Sequence, residues 1–452
     1  MTKSQLISSK FSRGNLISFK AVFILFLVLL ILVPLLLVWN TINHRRKRHE
    51  QAIQEISQAW SSAQQIVGPV LVLPYSTFVT DKEGKTQAVL KTVAWLPELL
   101  EVAISVEPEV RYRGIFEAVV YKADLEFKGS FELLGNEDLA QLNLDKSSEL
   151  LWEAANISLG ISDVRRLKSP LILTWNETPL DFSPGSGMLD LLPSGIHATS
   201  LKLKSLPEKS RVSFAFNLHL DGSKSLSFLP FGKNNSLSMR STWPHPSFIG
   251  SFLPEKRDVS STGFSANWDI SYFGRSYPQH FTSDQLNTAM RTALESSSFG
   301  VRFIQPADAY HQSERSVKYG ILFIFFTFMV YFLFELISGA RIHIFQYALV
   351  GIALCTFFLL LISLAEHIGF SYAYWLGAFL VICQISLYSY KIIKTLKGTA
   401  IISAVLAALY LYLYVVLQLE DYALLIGASG LFLALGVIMF VVRNVDWYSQ
   451  EN

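Results

Sequence analysis

Five ionisable side chains stand at the ends of long apolar segments in the last third of the chain, where charge can bind a ligand or carry a proton. They are Lys318, Glu366, His367, Glu420 and Asp421. Ionisable groups persist next to hydrocarbon mainly by pairing, so a lysine among three carboxylates is stabilised there. In a compact helix bundle these residues would form one polar ring. Two interpretations stay open: pairs that fix helix packing, and a path for protons or a ligand.

A second group of charges lies at the opposite ends of the same segments. Glu335 is followed by Arg341 and His343 within one short connector. Opposite charges so close in sequence are expected to pair where an apolar helix leaves the hydrocarbon. Glu335 and Arg341 are therefore a candidate salt bridge.

Catalytic motifs are absent from the sequence. It contains no G-x-S-x-G, no Walker loop, no H-E-x-x-H and no Rossmann fingerprint. Its nine histidines are scattered, and its two cysteines, Cys355 and Cys383, lie within apolar runs. The sequence therefore predicts no catalytic residue, no metal site and no cofactor. A hydrolase remains an alternative only if folding brings Ser186, in a lone small-residue loop, next to His245.

One segment of the middle region combines two prolines and two aromatic residues within six positions. It reads Trp243-Pro244-His245-Pro246-Ser247-Phe248. The residue before a proline is pushed towards extended backbone, so this stretch is expected to be rigid and extended. Either it is a loop that packs its aromatic rings on the domain, or Trp243 and His245 contact a ligand or partner.

Six uncharged apolar segments are long enough to cross a bilayer. The first follows four basic residues and ends without a small-residue cleavage pattern, which is typical of an uncleaved signal anchor. The six are Ala21–Val38, Tyr319–Phe334, Ile344–Ala365, Ile368–Tyr390, Gly398–Leu419 and Tyr422–Val442. The shortest becomes a full span when Lys318 and Glu335 are included, with the lysine reaching towards the interface.

The charges in the connectors predict the orientation. One set of connectors carries Arg341, Lys391, Lys394, Lys397 and Arg443, whereas the other set carries acidic residues and no Lys or Arg. Lys and Arg are enriched on the cytoplasmic side, so both termini are predicted to be cytoplasmic and the middle region to lie outside the cytoplasm. The run Arg45–Arg48 disagrees, but a long translocated domain tolerates such charge, or it lies among anionic head groups.

The middle region shows the period of two that is typical of half-buried strands. Apolar and polar residues alternate over 121–128, 212–220 and 264–272. Residues 42–63 and 283–295 instead show helical spacing. The predicted fold is a membrane protein with an N-terminal anchor, a large β-rich, sandwich-like α+β domain and a C-terminal five-helix bundle. The predicted boundaries are 1–20 (tail), 21–39 (anchor), 40–63 (stalk), 64–316 (outer β-rich domain), 317–442 (bundle) and 443–452 (tail).

Several blocks along nearly the whole chain resemble the CreD family of inner-membrane proteins. They include Gly68–Tyr75, Arg113–Tyr121, Trp243–Gly250, Gly263–Trp268, Val317–Tyr319, Phe334–Leu336, Glu366–Phe370, Leu417–Tyr422 and Val445–Tyr448. The chain departs from the pattern at Arg166, where glycine is expected, at Ile344, where proline is expected, and at Asn444, where a second basic residue is usual.

The resemblance implies a Gram-negative inner-membrane protein in which residues 40–316 lie in the periplasm. It also implies a role in cell-envelope integrity, linked to a two-component envelope or carbon-source response and to altered colicin or β-lactam sensitivity. It brings no catalytic residue and no cofactor. We expect a non-enzymatic protein that contacts membrane lipids and binds an envelope protein or a cell-wall or lipid ligand. The alternatives are a transporter or lipid-handling protein that uses the polar ring, and the hydrolase. The net charge of +2 argues against a nucleic-acid partner.

Overall fold

The computed structural model describes residues 13–80, 86–133, 142, 144, 148–168, 170–187, 191, 193–203, 207, 209–305, 309–338, 340, 342–419 and 422–443. It confirms the predicted class, because an apolar N-terminal helix precedes a β-rich region and a set of apolar helices. The chain forms two compact units. Residues 1–50 and 307–452 make the helical unit, and residues 51–306 make the β-rich unit.

Six of the described helices are long and apolar enough to cross a membrane. Only a helix satisfies all its backbone groups within one segment, so uncharged runs of this length fold as helices in lipid. They are α1 (Arg13–Trp60), α3 (Ala309–Ser338), α4 (Ile344–Ile368), α5 (Phe370–Ile393), α6 (Leu396–Gln418) and α7 (Ala423–Val442). A short helix, α2 (Thr288–Ser296), belongs to the β-rich unit.

The apolar half of α1 buries one stripe of its surface within the helical unit. Its buried residues recur at helical spacing: Ile24, Leu27, Val28, Ile31, Leu35, Val38 and Ile42. Gly351 of α4 lies under this stripe, and a Cβ added there would stand 2.1 Å from the end of Ile31. The helices therefore pack closely because this position carries no side chain.

The β-rich unit contains two sheets. The ten-stranded sheet A comprises β1 (Gln64–Thr80), β2 (Thr86–Trp95), β5 (Glu149–Leu150), β6 (Asn156–Ile161), β9 (Ser183–Pro184), β10 (Gly195–Ala198), β12 (Ser225–Phe228), β14 (Pro246–Gly250), β17 (His280–Thr282) and β18 (Phe299–Phe303). The eight-stranded sheet B comprises β3 (Leu99–Arg113), β4 (Phe116–Glu132), β7 (Ile172–Trp175), β8 (Thr178–Asp181), β11 (Arg211–Ser223), β13 (Asn234–Ser241), β15 (Lys256–Ser260) and β16 (Gly263–Ser271). The order across sheet B is β15-β16-β13-β3-β4-β11-β7-β8.

The three alternating segments of the sequence are the strands β4, β11 and β16, as the period of two predicts. Their apolar residues point into one continuous core that also contains side chains of β1 and β6 from sheet A. Phe127 of β4 and Phe216 of β11 stack there at 4.6 Å between ring centroids. The two sheets therefore form a sandwich. Most neighbouring strands are antiparallel, but β1 with β12 and β3 with β13 are parallel.

The predicted helix near 283–295 is a 3₁₀ turn followed by α2. Asn287 caps α2, and its side chain accepts a hydrogen bond from the backbone N–H of Met290 at 2.9 Å. Leu286 and Leu294 pack into a second core with Val70 and Val72 of β1. One face of sheet A is thus covered by the helix and the other by sheet B. The second face of sheet B packs at Ala118 and Val120 of β4 against Ile56 of α1, and it is exposed around Asp124 and Glu126.

A polar network within the β-rich unit holds the residues that follow α1. Asp163 accepts hydrogen bonds from the guanidinium of Arg165, at 2.5 and 2.8 Å, and from the backbone N–H of Ser62 at 3.0 Å. The buried side chain of Gln64 donates to the backbone carbonyls of Asp163 and Asp221, at 2.9 Å each. The hydrogen bonds from Arg165 and Ser62 favour the ionised form, so the pKa of Asp163 lies well below the usual range of a carboxyl group.

Candidate functional sites

Charged side chains of three helices meet at one end of the helical unit. The Arg46 guanidinium lies 2.6 Å from the Glu314 carboxylate, and Lys318 lies 3.1 Å from the other oxygen of Glu314. Glu366 lies 3.5 Å from Arg45 and accepts a hydrogen bond of 3.0 Å from the hydroxyl of Tyr310. We call these six residues the Glu366 cluster. The carboxylate side chains are only 8% (Glu366) and 11% (Glu314) exposed.

The local sequence explains how the Glu366 cluster forms. Glu314 and Lys318 are four positions apart on α3, and such residues are neighbours on a helix surface. Arg45 and Arg46 follow the apolar stretch of α1, and Glu366 closes that of α4. A buried carboxylate is stable only with a paired charge or several hydrogen bonds, and both carboxylates have an arginine. The cluster therefore ties α1 to α3 and to α4.

The predicted polar ring agrees only in part with this arrangement. Lys318 pairs with Glu314 of its own helix, and Glu366 pairs with α1. His367 is exposed, with no hydrogen bond or ion pair found for it among the described residues. Glu420 and Asp421 lie outside the described residues, so their place in the ring stays a prediction. Sequence reasoning missed Glu314 and Tyr310, although the Glu314–Lys318 spacing was a usable signal, and it assigned Arg45 and Arg46 to lipid head groups or to no partner.

A second cluster occupies the other end of the helical unit. Glu335 forms an ion pair with Lys20 of α1, and its second oxygen accepts a hydrogen bond of 3.0 Å from the hydroxyl of Tyr347. The Lys20 ammonium also donates to the carbonyl of Ile342 and lies 5.7 Å from the centre of the Tyr347 ring. The predicted partner, Arg341, lies outside the described residues. Lys20 is therefore the charged partner of Glu335. Local sequence did not predict this pair because the two residues are 315 positions apart.

The second face of sheet B carries a polar trough of about 640 Å³. Two rows of residues cross it, and each row has one residue on each of the strands β16, β13, β3, β4 and β11. The first row is Ser265, Arg240, Ser105, Asp124 and His219, and the second is Asn267, Ser238, Ala103, Glu126 and Asn217. A smaller depression of about 230 Å³ shares Ala103, Glu126 and Ser238 with it, so the trough continues along the strands.

The floor and the walls of this trough differ in side-chain size. Alanine and serine on the central strands β3 and β13 leave the floor low, whereas long polar groups stand at the sides. His219 pairs with Asp124, and Lys128 lies 2.5 Å from Glu126. The Glu126 carboxylate raises the pKa of Lys128 above its usual value by hydrogen bonding and charge attraction. The trough thus exposes hydrogen-bond donors, hydrogen-bond acceptors, and both acidic and basic side chains to solvent.

Comparison with known proteins gives a consistent result along the chain. Residues 16–448 match the family model described as CreD, Inner membrane protein CreD. The chain is also 34% identical over 430 residues to Inner membrane protein CreD of Escherichia coli (strain K12), an alignment that covers 93% of this chain and 92% of the relative. The chain belongs to the CreD family. As a CreD protein it is an inner-membrane protein with several apolar helices.

One departure from the expected CreD pattern has a structural role in this chain. The Arg166 guanidinium lies over the Trp60 ring at 4.1 Å and 3.2 Å from the Asp221 carboxylate. Arg111 lies over the same ring at 4.8 Å. A guanidinium over an indole face is attracted by the partial negative charge on the face of the neutral ring. Arg166 thus helps to hold Trp60, the last residue of α1, within the β-rich unit.

The candidate contact at Trp243 and His245 is mainly a packing element in this CreD chain. The indole N–H of Trp243 donates to the carbonyl of Ile304 at 2.9 Å, and its ring packs against the core of the sandwich. The carbonyl of His245 accepts a hydrogen bond of 3.2 Å from the backbone N–H of Ile304, while its imidazole is exposed. These contacts favour the interpretation as a loop that packs its aromatic ring.

The structure does not bring Ser186 and His245 together. Ser186 follows β9, whereas His245 precedes β14, and these strands are the two ends of the seven-strand path through sheet A. Six spacings of roughly 4.8 Å separate the two strands. Within the described part of the chain, no group of three or more His, Cys, Asp or Glu residues could hold a metal ion.

Proposed function

We propose that this CreD protein contributes to cell-envelope integrity without catalysing a reaction, and that its β-rich domain binds a glycan of the envelope. The observation that carries the proposal is the open polar trough on sheet B. Its exposed side chains supply hydrogen-bond donors and acceptors, whereas the larger apolar residues that also line it, Ile104, Leu125 and Met239, are buried in the sandwich core. A glycan fits such a surface because it presents many hydroxyl groups and few large apolar groups.

We further propose that residues 40–316 lie in the periplasm and that both termini are cytoplasmic. Six spans are an even number, so a chain that starts in the cytoplasm also ends there. The excess of Lys and Arg in alternate connectors supports this direction. In this orientation the trough is exposed to the compartment that contains the envelope glycans.

The Glu366 cluster acts in this proposal as a packing element. Its two carboxylates are each occupied by an arginine of α1, which argues against their use as carriers of protons or substrate. The ion pairs instead hold the anchor helix against the bundle. The bundle then anchors the binding domain in the membrane and contacts lipid.

The binding proposal is tested with the full chain in lipid nanodiscs and purified peptidoglycan sacculi as the probe. Ser238→Trp fills the floor of the trough from an exposed position, so we expect at least a tenfold loss in co-sedimentation with the sacculi. The matched control is Ser213→Trp, which places the same side chain on an exposed position of β11 outside the trough. Equal binding by both variants would refute the trough as the glycan site.

The cellular role and the orientation need separate measurements. In a strain that lacks the chromosomal gene, Ser238→Trp should fail to restore β-lactam sensitivity to the level given by Ser213→Trp, at equal protein abundance.

The orientation is tested with two reporters. A reporter that is active only in the periplasm should be active when it is inserted near residue 200, and a reporter that is active only in the cytoplasm should be active when it is fused after Arg443. The opposite pattern would overturn the orientation while leaving the binding assay intact.

A further inference from the structure

An apolar groove lies between α3, α6 and α7 in the half of the bundle near the Glu366 cluster. Its volume is about 490 Å³, and every residue that lines it is apolar, aromatic or glycine. Tyr319 and Phe323 line it from α3, Leu413 and Val416 from α6, and Gly427 and Leu431 from α7. The three helices are long and apolar enough to span a membrane, so we expect hydrocarbon rather than water around the groove.

The groove exists because α7 stands away from the rest of the bundle. Helix α7 is described over its whole length, and none of its residues is buried. The hydroxyl of Tyr412 donates to the carbonyl of Ile426 at 2.7 Å. Gly430 permits this contact, since a Cβ there would lie 2.1 Å from the same hydroxyl. Tyr412 thus contacts α7 near Ile426, and the groove lies next to this contact, where Gly427 and Gly430 line it.

Cationic side chains border the end of the groove that faces the Glu366 cluster. Lys318 directly precedes the lining residue Tyr319, and its side chain is 61% exposed. Arg315 lies one turn earlier on α3 and donates to the carbonyl of Val416 at 3.5 Å. An ammonium has three donors, so Lys318 can bind a phosphate while it stays paired with Glu314.

The charges at the mouth of the groove decide between two kinds of apolar occupant. A helix of a partner or of a second copy would bring an anion to Lys318 and Arg315 only if it carried an acidic residue at that level. A phospholipid joins an acyl chain for the apolar walls to a phosphate for the two cations in one molecule. Left empty, its walls would lose the dispersion contacts that a filled groove supplies.

We propose that this groove binds a glycerophospholipid, with one acyl chain between α3, α6 and α7 and the phosphate beside Lys318 and Arg315. The acyl chain supplies the packing that α7 lacks, and the two cations select a lipid that carries a phosphate. The lipid would therefore stabilise the position of α7.

Two glycines of α7 provide a matched test. A Cβ at Gly427 or at Gly436 would meet no atom within 4 Å, but only Gly427 lines the groove. We expect native mass spectrometry of the full chain in mild detergent to show one retained phospholipid per wild-type chain and per Gly436→Phe chain. In Gly427→Phe the occupancy should fall at least tenfold. Equal retention by both variants, or no retained lipid on the wild type, would overturn the proposal.

Added lipids test the head group. Phosphatidylglycerol and phosphatidylethanolamine should both raise the melting temperature of delipidated wild type, whereas inorganic phosphate alone should not. Lys318→Gln should weaken the effect of both lipids about fivefold or more. A diacylglycerol as effective as the phospholipids would refute the phosphate contact. A Gly427→Phe chain that changes from dimer to monomer, with its lipid retained, would show that the groove is a protein interface instead.

Discussion

The guanidinium of Arg46 lies 2.6 Å from the carboxylate of Glu314, a residue 268 positions later in the chain. This ion pair joins α1 to α3 where both helices leave their apolar segments. Glu314 is nearly enclosed and Arg46 is about one-third exposed. The pair is thus more protected from solvent than an ordinary surface salt bridge, whose contribution to stability is about 0–1 kcal/mol.

Replacing Arg46 with Gln should lower the free energy of unfolding by about 1–3 kcal/mol, because Glu314 is then left with Lys318 as its remaining charged partner. Thermal unfolding of the purified chain in detergent measures the loss. The matched control is Arg48→Gln, an exposed arginine two positions along α1 for which the described residues offer no ion pair. Adding Glu314→Gln to Arg46→Gln should cost less than the sum of the single changes. An additive result would mean that the two side chains do not interact.

At the other end of the bundle, Lys20→Gln should destabilise the chain more than Arg341→Gln. Lys20 contacts the Glu335 carboxylate, the carbonyl of Ile342 and the ring of Tyr347, so its loss leaves a carboxylate that is 16% exposed without its ammonium. Tyr347→Phe should cost about 1 kcal/mol, the value of one hydrogen bond. Protein abundance in membranes and melting temperature report both effects. A larger loss of stability in Arg341→Gln than in Lys20→Gln would favour the Glu335–Arg341 salt bridge that the sequence predicts.

Local patterns in the sequence predicted most of the fold. The uncharged runs identified the six long helices, and alternation identified β4, β11 and β16, because both signals depend only on residues close in sequence. The two parallel pairs were not predicted. Residues 99–106 and 234–241 become neighbours only through the packing of the whole sandwich. Strand order is a property of long-range contacts, which periodicity does not encode.

The candidate sites show the same limit. The ends of the apolar runs revealed that Glu366 and Lys318 lie at one level of the bundle, but the rotation of each helix decides which charges meet. Glu314 lies outside the apolar run of α3, and was therefore overlooked. The trough on sheet B was not predicted either, since small and polar residues on five strands become one surface only when their register is known.

Acid should selectively remove the contribution of Asp163 to stability. Its pKa is lowered in the folded chain by Arg165 and Ser62, so the ionised carboxylate stabilises the fold above its unfolded pKa of about 3.9. That contribution is lost as the pH falls from there through the lower folded pKa. Asp163→Asn should therefore be less stable than wild type at pH 7, and the difference should shrink at pH 3.

The control for this effect is Asp258→Asn, in the exposed strand β15. Chemical unfolding of the full chain in detergent at the two pH values gives the comparison. The Asp258 variant should match wild type at both. If the difference in free energy of unfolding between Asp163→Asn and wild type stays constant from pH 7 to pH 3, the ionised carboxylate is not what stabilises this part of the β-rich unit.

A side chain at Gly351 should disrupt the helical unit. Its Cβ would lie 2.1 Å from Ile31 of α1 and 2.8 Å from Phe328 of α3. Overpacking of this kind costs about 1–3 kcal/mol, so Gly351→Leu should lower the melting temperature and the amount of protein in the membrane. Gly436→Leu is the matched control, because the same substitution there meets open space and gains the same helix propensity. Replacing Ile31 with Ala in the Gly351→Leu chain should recover part of the stability, since it removes the atom that the new side chain strikes. If Gly351→Leu were as stable as Gly436→Leu, α1 could not lie against α4 at this position.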